Sequence, residues 1–246
     1  MRFRTKAAFV LLIFLICIAV LDRTVPARHL PWKPLDPDAK IGLATGTQIT
    51  LIALRPSKVC LGKLADAKHL GYFQADPKVG SPHKKCGWKV ATTMNDVAGI
   101  SFRPAAVTAQ CPHMLASYIW LKDVDKNARK ILGSPLKRVH HAGTYSCRRQ
   151  RGNSSGAWSE HAFANAWDIT GFELEDGRVI SVLKNWDSKT NKATKAQKAE
   201  KKARAKFLHK SRDSACNLFR VVLSPDYTPA HRDHLHLDQG PSSTCR

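Results

Sequence analysis

Ser159-Glu160-His161-Ala162-Phe163-Ala164-Asn165-Ala166-Trp167-Asp168 is answered near the C-terminus by His231-Arg232-Asp233-His234-Leu235-His236-Leu237-Asp238. The second segment packs three of the chain's eleven histidines into six residues. A catalytic zinc site takes three N or O ligands from protein and leaves a fourth position open. Imidazole and carboxylate are the donors these segments supply. In a regular strand His234 and His236 share a face, so the pair aims two imidazoles into one cleft. One serves as ligand and the other stands beside the metal's water. Asp233 points away from that cleft unless the strand begins later or carries a bulge. The seven-residue step from His161 to Asp168 fits a loop that delivers one ligand and a strand that delivers the other. Singly, each histidine reads as structural or exposed. Together they predict a metal centre.

Outward from these segments the pattern is mixed. Pro112 suits a first helical position, and Met114, Leu115, Tyr118, Ile119, Ala128, Ile131 and Leu132 fall at helical spacing. Gly133 and Ser134-Pro135 stop that helix. Strand-like segments follow at Leu136–His140, Ala166–Leu174, Arg178–Leu183 and Phe219–Leu223, with Asp176-Gly177 as a hairpin turn. A helix over Ala196–Asn217 separates the last two strands. The fold class is therefore α+β, an antiparallel sheet with flanking helices. Ile41–Val107 reads as short strands and loops around Cys60 and Cys86, and its Leu51–Leu54 run suits either a strand or a helical turn.

The N-terminus points to export. Met1–Lys6 carries three positive charges, and Ala7–Leu21 has no polar side chain except Cys17. The expected organisation is a signal-anchor or signal peptide over 1–21, a Pro-rich spacer over 22–40 (Pro26, Pro31, Pro34, Pro37) and one domain over 41–246. The implied location is the periplasm or cell envelope, either secreted or held at the inner membrane. Six cysteines remain outside the apolar run: Cys60, Cys86, Cys111, Cys147, Cys216 and Cys245. An even number fits three disulfides in an oxidising compartment. Near-equal loops predict local pairing, Cys60–Cys86, Cys111–Cys147 and Cys216–Cys245. No C-x-x-C occurs, which argues against a cysteine zinc site.

Forty Lys+Arg against nineteen Asp+Glu leave a formal charge of +21, which attracts polyanions. Lys184–Arg212 alone holds eleven Lys/Arg and two acids. It reads as a solvated helix face or as a patch for anionic polymer. Nucleic acid is disfavoured as a partner, because aromatic side chains are not interleaved there and the N-terminus signals export.

The motifs resemble the extensin-like C-terminal domain family of bacterial envelope proteins, over roughly Pro31 to Cys245. The matching stretches are Cys111-Pro112, Gly143–Arg148, Ser159–Ala162, Asn165-Ala166, Asp168, Phe172, Asp176-Gly177 and His231–Asp238. That family in turn looks like the zinc D-Ala-D-Ala carboxypeptidase and hedgehog-like superfamily. The resemblance implies that fold, Zn²⁺ as cofactor, and His161, Asp168 and His236 as its ligands. It offers Asp233 as the catalytic base, whereas strand parity favours His234, and both stay open. Arg148 stands where a substrate-contacting, catalytic arginine is expected, and Ser159 and His231 are further substrate-binding candidates. Ser159 suits a turn cap equally well. The glycine expected after His161 is Ala164, a costly exchange if the backbone has positive φ there.

The implied function is zinc-dependent hydrolysis of amide bonds in peptidoglycan peptides, by an endopeptidase or carboxypeptidase. Its rival is a catalytically inactive wall-binding module with a structural zinc. Serine and cysteine hydrolases are disfavoured, since G-x-S-x-G is missing and the cysteines pair.

Overall fold

The computed structural model describes residues 2–80, 82–187 and 194–246, with side chains from Lys6 onward. The apolar run lies within one helix, α1 (Arg2–Thr24), whose stretch Lys6–Thr24 is apolar and long enough to cross a bilayer. At 1.5 Å per residue the helix spans about 34 Å, because flanking residues extend the run. Phe9, Leu12 and Phe14 on it are exposed. This helix and three disulfides fit an exported protein.

The expected spacer is instead a docked strap. Leu30 and Leu35 are buried, and the Gln48 amide lies 2.9–3.0 Å from the carbonyls of Ala27, Leu30 and Lys33. Asp38 accepts from Tyr118 and pairs with Lys122 at 2.8 Å. The strap makes a 3₁₀ turn over Ala27–His29, and its two leucines and its carbonyls find partners on the domain.

Helices α2 (Thr45–Ala53) and α3 (Ser57–Ala65) follow. Leu51–Ala53 thus ends a helix, and Cys60 lies on a helix where loops and strands were expected. Next come β1 (Leu70–Ala75), the ribbon β2 (Lys78–Val79) and β3 (Gly87–Trp88), then β4 (Ala91–Val97), β5 (Ser101–Arg103) and β6 (Val107–Ala109). Strands β1, β4 and β6 form an antiparallel three-stranded sheet.

The central helix α4 (Cys111–Leu132) begins with Pro112 in its first turn and ends at Gly133, which has φ 75°. From His113 to Leu121 every side chain is buried, so this helix runs through the core. Trp120 packs on Trp167, Phe172 and Phe219, and its indole N–H donates to Ser211 O at 2.8 Å.

The remaining elements are β7 (Leu136–Gly143), β8 (Ala166–Leu174), β9 (Val179–Ser181), α5 (Val182–Asn185), α6 (Lys195–Ala215), β10 (Val221–Leu223), β11 (Leu235–Asp238) and β12 (Thr244–Cys245). They build a seven-stranded sheet in the order β12-β10-β11-β8-β7-β5, with β9 also on β8. Its inner pairs are antiparallel, and β12 and β5 join the edges in parallel. The helices flank this sheet. Strand β8 matches its expected bounds, whereas Arg178–Leu183 is cut short by α5. Helix α6 buries Phe207 and Leu208 and exposes its lysine-rich first half, 195–202, to solvent. Positions 188–193 of the basic stretch lie outside the described residues.

All six cysteines are paired, but two of the expected pairings are wrong. The bonds are Cys60–Cys111, Cys86–Cys147 and Cys216–Cys245. Loop length does not decide connectivity, packing does. Helix α3 packs on the start of α4 and brings Cys60 to Cys111, while the β2–β3 ribbon meets the loop after β7. The two corrected bonds close loops of 51 and 61 residues, each stabilising by about 4 kcal/mol in the chain-entropy picture.

The strap carries a pH signature. Burial raises the Asp38 carboxyl, yet Lys122, Tyr118 and the Lys68 amide lower it more, from 3.8 to about 2. A depressed carboxyl stabilises above its unfolded value and loses that contribution as pH falls through about 2. Asp38→Asn should remove roughly 2 kcal/mol at pH 7 and almost nothing near pH 2. Denaturant unfolding at the two pH values measures the difference.

Candidate metal centre

Strands β8 and β11 set the first two donors. Their register places His236 opposite Asp168, with Leu237 opposite Trp167 and Leu235 opposite Ile169. Trp167, Ile169, Leu235 and Leu237 are completely buried, so alternation turns Asp168 and His236 to the other face. Directly opposed residues on one face have Cβ atoms about 5 Å apart.

His161 arrives from a different element. It lies in a single 3₁₀ turn, Glu160–Phe163, preceded by Ser159, whose hydroxyl accepts from the His161 amide at 3.3 Å. Of the two expected roles for Ser159, this contact gives it the cap. The turn ends at Ala164, which is fully buried and left-handed (φ 53°, ψ 39°). Gln110, just before α4, holds the turn through its amide to Ala164 O at 2.9 Å and its side chain to Phe163 O at 2.8 Å.

The three candidate ligands converge, with donor atoms all within 4.8 Å of one another. His161 Nε2 is 3.2 Å from His236 Nδ1 and 3.1 Å from Asp168 Oδ2, and His236 Nδ1 is 2.9 Å from Asp168 Oδ1. Ligands at 2.0–2.1 Å from a tetrahedral zinc stand about 3.3 Å apart. The observed triangle is slightly smaller than that, so the donors fit the ion with small outward shifts.

Each imidazole has a second partner. His161 Nδ1 lies 3.2 Å from Thr144 O, leaving Nε2 for the cleft. His236 Nε2 lies 2.9 Å from Asp238 Oδ2, leaving Nδ1. Metal-bound histidines almost always carry such a carboxylate or carbonyl on the other nitrogen. Asp238 and Thr144 escaped the sequence reading of the site. The signal for Asp238 was present, since it shares His236's face two residues on.

Electrostatics agree with a cation site. Burial opposes ionisation of Asp168, but hydrogen bonds from His161 and His236 drive its carboxyl far below the usual range. Burial likewise disfavours His236 as a cation, yet Asp168 and Asp238 raise it to about 9. Without an ion, a proton on His236 balances the two carboxylates.

The other candidates separate into two groups. Strand β11 begins at Leu235, so Asp233 and His234 lie in the turn before it. The His234 Nδ1–H donates to Asp233 Oδ1 at 2.9 Å, and His234 Nε2 faces Asp168 Oδ1 at 3.7 Å. Asp233 therefore turns toward His234 and not away. His231 joins them, its ring 5.2 Å from His234 and 6.1 Å from His236, and its Nδ1 2.8 Å from Thr228 Oγ1. Burial, then the neighbouring His234 and His236, lower it to about 4, so it is neutral at pH 7. Arg148 stands apart. Its carbonyl accepts from the Ser159 amide, while its exposed side chain contacts none of the cleft groups among the described residues.

The family model described as "Extensin-like protein C-terminus" matches residues 58–246. No curated protein and no solved structure gives a significant match to the chain.

Ala164 supplies a direct check of the local geometry. An L-residue in the left-handed region costs about 1–2 kcal/mol, and a β-branched one costs more. Ala164→Val should destabilise by at least about 2–3 kcal/mol through strain and overpacking. Ala164→Gly should stay within about 1 kcal/mol of the parent, because relief of φ strain offsets the lost methyl and added chain entropy. Thermal unfolding of both variants reads the difference.

Proposed function

The chain belongs to the extensin-like C-terminal family, and on that premise we propose that it is a zinc-dependent hydrolase of amide bonds in peptidoglycan peptides, acting in the cell envelope. This reading includes kinship with the zinc D-Ala-D-Ala carboxypeptidase and hedgehog-like superfamily. The observation that carries it is the convergence of His161 Nε2, Asp168 and His236 Nδ1, with Asp238 and Thr144 O behind the imidazoles. Two histidines and one carboxylate are a donor set that catalytic zinc sites use.

Zinc bound there would polarise the scissile carbonyl and bring the pKa of its water to around 7. The remaining work falls to side chains. Asp233 holds His234 through Nδ1, so the Nε2 lone pair is free toward the cleft to take a proton and return it to the leaving amine. Base and orienting carboxylate thus form one unit, which unites the two candidates. Neutral His231 is placed as a hydrogen-bond partner for the bound peptide. Arg148, exposed and without an ion pair among the described residues, would engage a peptide carboxylate.

His161→Ala and His236→Ala should each abolish stoichiometric zinc in metal analysis. Asp238→Asn should weaken zinc about 10–100-fold in chelator competition. His234→Ala should keep the metal and lose turnover of purified peptidoglycan by about 10²–10⁴-fold, with Asp233→Asn following it in part. Wild-type turnover should stop in chelator and return with Zn²⁺. Zinc binding without any cleavage would favour the inactive wall-binding module.

A further inference from the structure

Beside His161 the chain builds a second surface, of which the chemistry above uses Arg148 alone. Lys78 pairs across the β2–β3 ribbon with Trp88. Gly87 permits this close approach, since a Cβ there would lie 1.6 Å from Lys78 O, and its φ is 100°. Cys86, next to the ribbon, bonds Cys147, with Cα atoms 5.6 Å apart. Tyr145 and Arg149 lie two residues either side of Cys147. The Trp88 and Tyr145 rings meet edge-on at 5.2 Å, and Lys78 Nζ stands 4.4 Å above Tyr145. On the other flank the His83 ring sits tilted at 4.6 Å from Trp158, and the Arg149 guanidinium lies 4.6 Å over the same ring.

This ledge borders the metal cleft. Thr144, before Tyr145, supplies the carbonyl beside His161 Nδ1, and the Ser146 amide donates to His161 O at 3.0 Å. Segments 78–89 and 145–158 together hold seven Lys/Arg and no Asp or Glu. Lys84, Lys85, Lys89, Arg148 and Arg151 are exposed, and Trp88, Tyr145 and Trp158 are half-buried.

We infer that this disulfide-held ledge binds a glycan strand bearing carboxylates and leads it to the cleft beside His161. A surface with this excess of cations attracts a polyanion. Cations seated over rings are pre-ordered, so little side-chain freedom is lost when a carboxylate binds. Half-buried aromatic rings offer apolar surface against which the C–H faces of sugars pack. Cations and rings also suit single-stranded nucleic acid. Three disulfides and the apolar N-terminal helix favour the glycan, which is found outside the cytoplasm. The inference rests on the wall-directed reading above for its ligand, and not on turnover.

The test measures binding by the full chain in detergent micelles. Probes are peptide-free peptidoglycan glycan strands, the same strands with carboxyls converted to amides, and an oligodeoxythymidylate. Wild type should bind the acidic strands, and amide conversion should weaken binding by about tenfold or more. Lys78→Gln, Arg149→Gln, Trp88→Ala and Trp158→Ala should each weaken it on the order of tenfold. The two charge variants decide the outcome if a tryptophan variant fails to fold. Lys130→Gln, on the exposed end of α4, should bind as wild type. The ledge is overturned if acidic strands do not bind, if both charge variants bind like wild type, or if the oligonucleotide binds more tightly. Ledge binding without turnover sinks hydrolysis alone, and turnover without binding of the acidic strands sinks the ledge alone.

Discussion

Asp168 and His236 face one another because four apolar side chains on the far side of β8 and β11 leave the strands no other register. Trp167 and Ile169 lie opposite Leu237 and Leu235, all without solvent contact. A slip of one residue would send these into the cleft and carry the aspartate and histidine into the core. Burying that pair unpartnered would cost several kcal/mol, besides the lost apolar burial. Helix α4 reinforces the arrangement from beneath, with Trp120 against Trp167. His113, fully buried and lowered to about 4 chiefly by desolvation, sets its Nε2 3.1 Å from Leu237 O. Its imidazole is neutral at pH 7, so it fixes β11 without placing a second cation under the site.

The cleft itself is a balance of charges. Asp168 and Asp238 bracket His236, while His161 gives its inner nitrogen to Thr144 and its outer one to the centre. Two carboxylates held this close, in a buried place, require a compensating positive charge. That requirement links the core register to the proposed chemistry: packing fixes the donors, and the donors call for a cation. His234, outside the strand and held by Asp233, has its nitrogen directed to the same centre without belonging to it. Asp168 and His236 thus sit on paired strands and His161 on a buried 3₁₀ turn, whereas His234 sits in the turn before β11.

Much of this was legible from residue types and spacing. Strand β8 could be bounded from its pattern alone, and Met114 to Leu132 announced α4. Parity assumed that His234 shares a strand with His236; His234 lies instead in the turn before β11, and its Nε2 comes within 3.7 Å of Asp168 from there. The concern over Ala164 was well placed, since its φ is positive. What escaped were features fixed by tertiary contact. Nothing local tells Cys60 to choose Cys111 over Cys86, because that depends on α3 docking against α4. The prolines of the strap announce extension but not docking, which depends on the Gln48 amide and on Asp38 reaching Lys122. Asp238 could have been read by parity from His236. Thr144 could not, because it acts through its carbonyl, which every residue possesses.

The central claim is that the packed register of β8 and β11 creates a zinc site from His161, Asp168 and His236. X-ray absorption at the zinc edge on the zinc-loaded protein tests it most directly. The expected spectrum shows one zinc with two imidazole nitrogens and oxygen donors at about 2.0–2.2 Å, and no sulfur. It should lose one imidazole or the metal itself when His236 is replaced. Thiolate scattering at about 2.3 Å, or a spectrum unchanged by replacing both His161 and His236, would contradict the account.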